Sequence, residues 1–218
     1  MTNLDPDPPR LEDLPAKPRR IILHWTAGGP EANATDLSAY HYVVEQSGVV
    51  REGVPVRRNL RQLSGLPVSE YAAHTRGLNS YSVGVSLAGM HGASEGGPYG
   101  RWPITEGQAR AACAWVARLL DAWGMEVTRE TVFHHWEAEH LHGVPQAGKW
   151  DITVFPWDPA VLPHETGPTL REWVRQAGMD EPMAPTPELT PPPLRVRVPE
   201  AEPLWRRAVE KVRGLVGV

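Results

Sequence analysis

Apolar and polar positions along the chain divide it into short apolar runs and one long periodic stretch. Ile21-Ile22-Leu23 runs straight into His24 and Trp25 and then into the small-residue turn Thr26–Gly29. An apolar run of that length bounded by glycines predicts a buried strand over Arg20–Trp25. Asn33–Ala39 reads as a short helical turn. Tyr40–Val44, a Gln46-Ser47-Gly48 turn and Val49–Gly53 predict two strands joined by a glycine turn, with the β-branched and aromatic content of a sheet. Val83–Ala88 alternates apolar with small residues, the pattern of a central strand, and Gly89–Trp102 is a long glycine-rich loop of the kind found at site rims.

The clearest helix spans Thr105–Trp123. Ala109, Ala112, Cys113, Val116, Leu119, Leu120 and Trp123 recur at three- and four-residue spacing, Thr105 and Gln108 form a capping box, and Gly124 stops the run. Val127–His134 reads as another short strand. Thr169–Gln176 reads as a helix opened by a Thr169/Glu172 capping box and ended by Gly178. Strands and helices alternating over one core predict the α/β class, with a single domain built on a central mixed β-sheet flanked by helices.

Proline placement sets the domain limits. The 23 prolines crowd the first 20 residues and Pro182–Pro203. The expected organisation is an extended lead-in over 1–19, a globular domain over 20–178, a semi-rigid linker over 179–193 and a C-terminal helix over 194–218. That last stretch puts Leu204, Trp205, Ala208, Val209, Val212, Leu215 and Val216 on one face and Arg206, Arg207, Lys211 and Arg213 on the rest. A basic amphipathic helix of this kind either lies on an anionic membrane surface or docks on a protein surface.

Charge and cysteine content narrow the classes. A net charge of −4 gives no electrostatic case for nucleic-acid binding. The single cysteine, Cys113, rules out an internal disulfide framework and sits at a helical core position. No run of about 18 apolar residues predicts a spanning helix. The N-terminal stretch has neither a basic nor an apolar region of signal-peptide type, so a cytoplasmic, soluble protein is expected.

The candidate chemistry lies at the strand ends. His24 closes one strand, the pair His134-His135 closes another, and Lys149-Trp150-Asp151 follows. Two imidazoles and one carboxylate from three segments, with a fourth position open, are the ligand set of a catalytic zinc. Such a metal lowers the pKa of water toward about 7 and polarises a carbonyl, and a lysine beside it can steady an oxyanion. Nine histidines allow many triples, however, and His140 and His142 read equally as ligands or surface residues.

Four blocks in order within Arg20–Val154 carry a family resemblance. They are Ile21-Ile-Leu-His24-Trp-Thr-Ala27, the hairpin from Tyr40-His41 to Gly53, the stretch from Ala73-His74 through Asn79 to Ser82-Val-Gly84-Val-Ser-Leu87, and Val132-Phe-His134-His135-Trp-Glu137 with Lys149-Trp-Asp151. Together they resemble the type 2 zinc N-acetylmuramoyl-L-alanine amidases, which include phage amidase-type lysozymes, peptidoglycan recognition proteins and bacterial cell-wall amidases. The resemblance implies a Zn2+ cofactor held by His24, His135 and Asp151. His135 rather than His134 matches, because it stands one residue before Trp136-Glu137. It further implies Lys149 as the oxyanion stabiliser, Tyr40 beside the reacting water, and Trp25, His74 and Asn79 on the substrate side, with Asn79 alternatively a turn former. Ser86 stands where the recycling branch has a catalytic glutamate. The 14 positions from His135 to Lys149 exceed the family's usual spacing and read as a cleft-lining loop.

The implied function is hydrolysis of the bond between N-acetylmuramic acid and L-alanine of peptidoglycan. The expected setting is a phage or prophage endolysin: a monomer that waits in the cytoplasm until a holin opens the membrane, and whose basic helix either contacts a membrane surface or docks on its own domain or a neighbour. The alternatives are a non-catalytic peptidoglycan-binding recognition module and a cytosolic cell-wall-recycling amidase.

Overall fold

The computed structural model describes residues 5–179. The expected linker and basic helix therefore lie, apart from Met179, outside the described residues. Five strands form one sheet: β1 (Arg20–Trp25), β2 (Tyr42–Val44), β3 (Val50–Glu52), β4 (Ser82–Leu87) and β5 (Val132–His134). Their order is β3-β2-β4-β1-β5. β1 runs parallel to β4 and β5, β2 runs parallel to β4, and only β2 and β3 are antiparallel. The mixed sheet flanked by helices matches the class read from the pattern. β1 lies between two parallel neighbours, which is why it reads as a continuous apolar run rather than an alternation.

The two faces of the sheet differ in kind. Side chains alternate across a strand, so Ile21, Leu23, Val83, Val85, Tyr42, Val44 and Val132 share one face. There they pack with α2 (Glu106–Ala122) and α4 (Pro163–Met179) through Ala109, Cys113, Val116, Leu120, Leu170 and Val174 in the main core. The opposite face carries Ile22, His24, Gly84, Ser86 and Val43 in one register. Its apolar part is small: Ile22 and Phe133 packed with Leu78 and Ala138. Polar side chains hold the remainder of that face.

α2 begins as expected, with Thr105 Oγ1 accepting from the Gln108 amide at 3.2 Å and the reciprocal bond present. Gln108 does more than cap. Its Nε2 donates to the carbonyls of Val44 at 2.9 Å and Ala88 at 2.8 Å, fastening the helix start to the ends of two strands. The short helix α1 (Ala34–Ala39) is capped by Asn33 and Asp36.

Three expectations need correction. β5 is only Val132–His134, because Thr128 and Thr131 cap a turn with their hydroxyls where a longer strand was expected. The stretch after His135 is not simply a loop: His135–His142 is a helix, α3, ended by Gly143 in the left-handed conformation. α4 starts at Pro163, six residues before Thr169, whose hydroxyl donates to the Glu165 carbonyl inside the helix. Glu165 itself reaches back to the Leu162 amide at 2.9 Å, so the cap lies there. Gly178 lies within the helix, which runs to Met179, the last described residue.

Residues 5–19 lie against this core. Leu11, Leu14 and Ala16 pack on it, Trp123 Nε1 donates to the Pro9 carbonyl at 2.9 Å, and Asp5 accepts from the Val50 amide at 3.0 Å. Among the described residues no helix is long and apolar enough to cross a membrane.

Candidate metal centre

Sheet register brings the first two donors together. β1 and β5 are adjacent and parallel, with Leu23 opposite His134, so the next step along each chain sets His24 beside His135. His135 is the first residue of α3, and the change from strand to helix turns its side chain away from the face that His134 occupies. Asp151 arrives from the segment between α3 and α4. His24 Nδ1 and His135 Nδ1 are 3.1 Å apart, and Asp151 Oδ2 lies 3.0 Å from the first and 3.1 Å from the second. All three residues are buried, His24 fully so.

Two of the three donors have shifted protonation equilibria. Burial, reinforced by the charges of His135 and Lys149, lowers the His24 imidazole to about 4, against the pull of Asp151. Burial opposes ionisation of Asp151, yet the imidazoles of His135 and His24 set against its oxygen together hold its carboxyl well below the usual range. Three donor atoms converging at these separations make a candidate cation site. A tetrahedral zinc with bonds of about 2.0–2.1 Å spaces its ligands about 3.3 Å apart, close to the triangle seen here. The residues fit the metal.

Each donor is held from behind. His24 Nε2 is 3.2 Å from His74 Nδ1 and 3.3 Å from Thr75 Oγ1. His135 Nε2 is 3.0 Å from Gln146 Oε1. Asp151 is fixed through its neighbour: the Ile152 amide donates to His134 Nδ1 at 3.0 Å, and the Trp136 amide donates to the Asp151 carbonyl at 2.9 Å. With Nδ1 accepting, His134 carries its proton on Nε2 and donates to Thr166 Oγ1 at 3.1 Å. Thr166 returns its hydroxyl proton to the Ile152 carbonyl at 2.8 Å.

Of the other residues singled out in the sequence, Tyr40 lies beside the triangle, its ring centroid 5.2 Å from that of His24 and its hydroxyl directed at the Trp25 carbonyl at 3.4 Å. Burial pushes the Tyr40 phenol well above its ordinary value, with the charge of Asp151 acting the same way and the Ser86 hydroxyl opposing. Lys149 is exposed on the turn just before Asp151. The substrate-side trio occupies other places. His74 is buried beneath His24, Trp25 packs edge-on against Trp150 at 4.6 Å, and Asn79 Oδ1 accepts from the amides of His74 and Thr75 at 3.1 and 2.8 Å, building the turn that presents them. His140 and His142 are exposed on α3, outside the triangle. Gln146 and Thr75 were not found from the sequence, and His134 was read only as half of the His134-His135 pair, not as a support. No spacing marks a glutamine in a polar loop, and a buried supporting histidine carries the same sequence signal as a ligand.

Residues 14–153 match the family described as N-acetylmuramoyl-L-alanine amidase. No curated protein matches the chain. Among solved structures, the Ph2119 endolysin from Thermus scotoductus MAT2119 bacteriophage Ph2119 is 19% identical, with 70% of this chain and 88% of that chain covered at a TM-score of 0.38. The N-acetylmuramoyl-L-alanine amidase LysC from Clostridium intestinale URNW is 14% identical, covering 65% and 81% at 0.39. The Drosophila peptidoglycan recognition protein SA is 15% identical, covering 56% and 70% at 0.37. The family match spans more than half of the chain and takes in β1, β5 and all three donors of the triangle. The chain belongs to the N-acetylmuramoyl-L-alanine amidase family.

Proposed function

We propose that the protein is a zinc-dependent N-acetylmuramoyl-L-alanine amidase that hydrolyses the bond between N-acetylmuramic acid and L-alanine in peptidoglycan. The observation that carries this reading is the intact donor triangle of His24, His135 and Asp151. A recognition module that only binds peptidoglycan has no need of three converging donors, each braced from behind. Hydrolysis adds water across the lactyl–alanine amide: the C–N bond breaks, a carboxylate forms on the muramic side, and the alanine amine takes up a proton. Zinc held by the triangle supplies Lewis acidity and makes water ionise near neutral pH.

The remaining roles belong to the chain itself. Tyr40, whose ring centroid lies 5.2 Å from that of His24, assists at the reacting water. Lys149, close enough for its charge to act on His24, offers positive charge to the carbonyl oxygen as that oxygen gains charge. The phage or prophage endolysin role rests on Tyr40 together with Ser86 in place of the recycling branch's glutamate, and carries with it release from the cytoplasm to the wall.

Two measurements test the reading. Metal analysis of the purified protein should give one zinc per chain, lost in His24→Ala and Asp151→Ala. Mass analysis of fragments from purified peptidoglycan should show free muramic carboxylates and new N-terminal L-alanine. A metal-free wild type that binds the wall without cutting it would overturn the proposal.

A further inference from the structure

We propose that Gln146 is a positioning residue that fixes His135 as its Nε2–H tautomer and so bares Nδ1 toward Asp151 and His24. The consequence for metal binding rests on the zinc reading above; the tautomer assignment does not.

The argument is one of hydrogen-bond accounting in a dry place. Gln146 is 3% exposed and His135 5%, so neither can turn to solvent for a partner. The amide nitrogen of Gln146 donates to two carbonyls, Arg76 at 3.1 Å and Val144 at 2.9 Å. Rotating the amide would set its oxygen against both carbonyl oxygens, so its orientation is fixed. Its oxygen is thereby committed to His135 Nε2 at 3.0 Å. An amide oxygen only accepts, so the ring nitrogen facing it must carry the proton. A ring that ligates a metal is neutral and has one such proton, so Nδ1 is left as the lone pair for the metal.

The backbone around Gln146 is anchored to match. Its own amide donates to Glu139 Oε2 on α3 at 3.0 Å. Arg76 follows Thr75 and His74, which sit behind His24. One buried glutamine thus joins the supports of both histidines, and it gives the stretch between α3 and Asp151 a task. Loss of such a support typically weakens metal binding about 10–100-fold.

The test compares wild type, Gln146→Leu and Gln146→Glu by two readouts. Zinc dissociation constants come from competition with a chromophoric chelator, and the His135 tautomer comes from long-range 1H–15N correlation spectra of the zinc-free proteins. Expected results are a pure Nε2–H tautomer in wild type, a mixed population in Q146L with zinc affinity about 10–100-fold weaker, and recovery of the Nε2–H form in Q146E, whose carboxylate still accepts. A Q146L protein that keeps the pure Nε2–H form overturns the proposal, whatever its zinc affinity. Should Q146L fail to fold, the wild-type spectrum decides, since an Nδ1–H or mixed His135 there is equally fatal. A wild type that shows the Nε2–H form but binds no zinc removes the amidase reading and leaves the tautomer lock standing.

Discussion

Gly84 has no side chain, and the ring of His74 uses that space: a Cβ at Gly84 would lie 2.6 Å from His74 Cγ and 2.8 Å from Cδ2. The ring cannot retreat without leaving His24 Nε2. Gly84→Ala should therefore cost about 1–3 kcal/mol in folding stability, read from urea unfolding, and weaken zinc binding in the same protein. A variant with wild-type zinc affinity would show that His74 does not support His24. Lys149 behaves differently because it is exposed and ligates nothing. Lys149→Ala should lower kcat by about 10²–10³-fold while metal analysis still finds full zinc. Residue identity explains why some of this site was legible and some was not. His24 and the His134-His135 pair stand out as ligand types at strand ends, but nine histidines allow many triples, and the set with Asp151 was legible only through the family resemblance. Gly84 and Gln146 become informative only once the fold supplies what they touch.

Among the elements, α4 shows where local signals mislead. Thr169 with Glu172 reads as a helix start, yet the helix begins at Pro163 and runs through Pro168. Tertiary contacts override the propensity. A Cβ at Gly167 would run into the Glu137 carboxylate, so a larger residue there would push that carboxylate off Arg171 and the His134 amide. Arg171, one turn on, donates to both oxygens of Glu137 at 3.0 Å and to the Val132 carbonyl at 3.1 Å. None of these partners is near in sequence, whereas α2, whose capping box and apolar stripe are self-contained, was legible almost to the residue. The same first turns of α4 hold the metal site through Thr166. Thr166→Val keeps the shape but leaves His134 Nε2–H and the Ile152 carbonyl without their partner. The expected cost is about 1–3 kcal/mol, seen as a lower urea midpoint, together with weaker zinc retention because Asp151 precedes Ile152. An unchanged midpoint would mean that the His134 link contributes nothing to the fold.

For the molecule as a whole, the division between a largely apolar sheet face and a polar one has an acid–base consequence. The polar side buries several imidazoles away from water. Burial lowers His41 to about 3 and His24 to about 4, and carries His74 well below its usual value. His134, on the other face, is lowered by burial as well. His41 is held neutral in a defined way, its Nδ1 accepting from the Gly84 amide at 2.9 Å. An unfolded chain protonates these rings near pH 6.5, whereas the folded chain resists down to their lowered values. Below about 6.5 the unfolded state therefore binds more protons, and stability must fall as pH falls, by about 1.4 kcal/mol per pH unit for each ring that stays neutral. Above that point these groups are neutral in both states and contribute no slope. The zinc-free protein should accordingly show a urea midpoint that is level from about pH 7 to 8 and drops steadily from about 6.5 toward 4. His41→Gln, which keeps an acceptor for the Gly84 amide but cannot titrate, should reduce that slope by about one proton's worth. With zinc present the fall should be steeper, since protons then compete with the metal for His24 and His135. A midpoint indifferent to pH across this window would contradict the burial of neutral imidazoles on which the polar face is built.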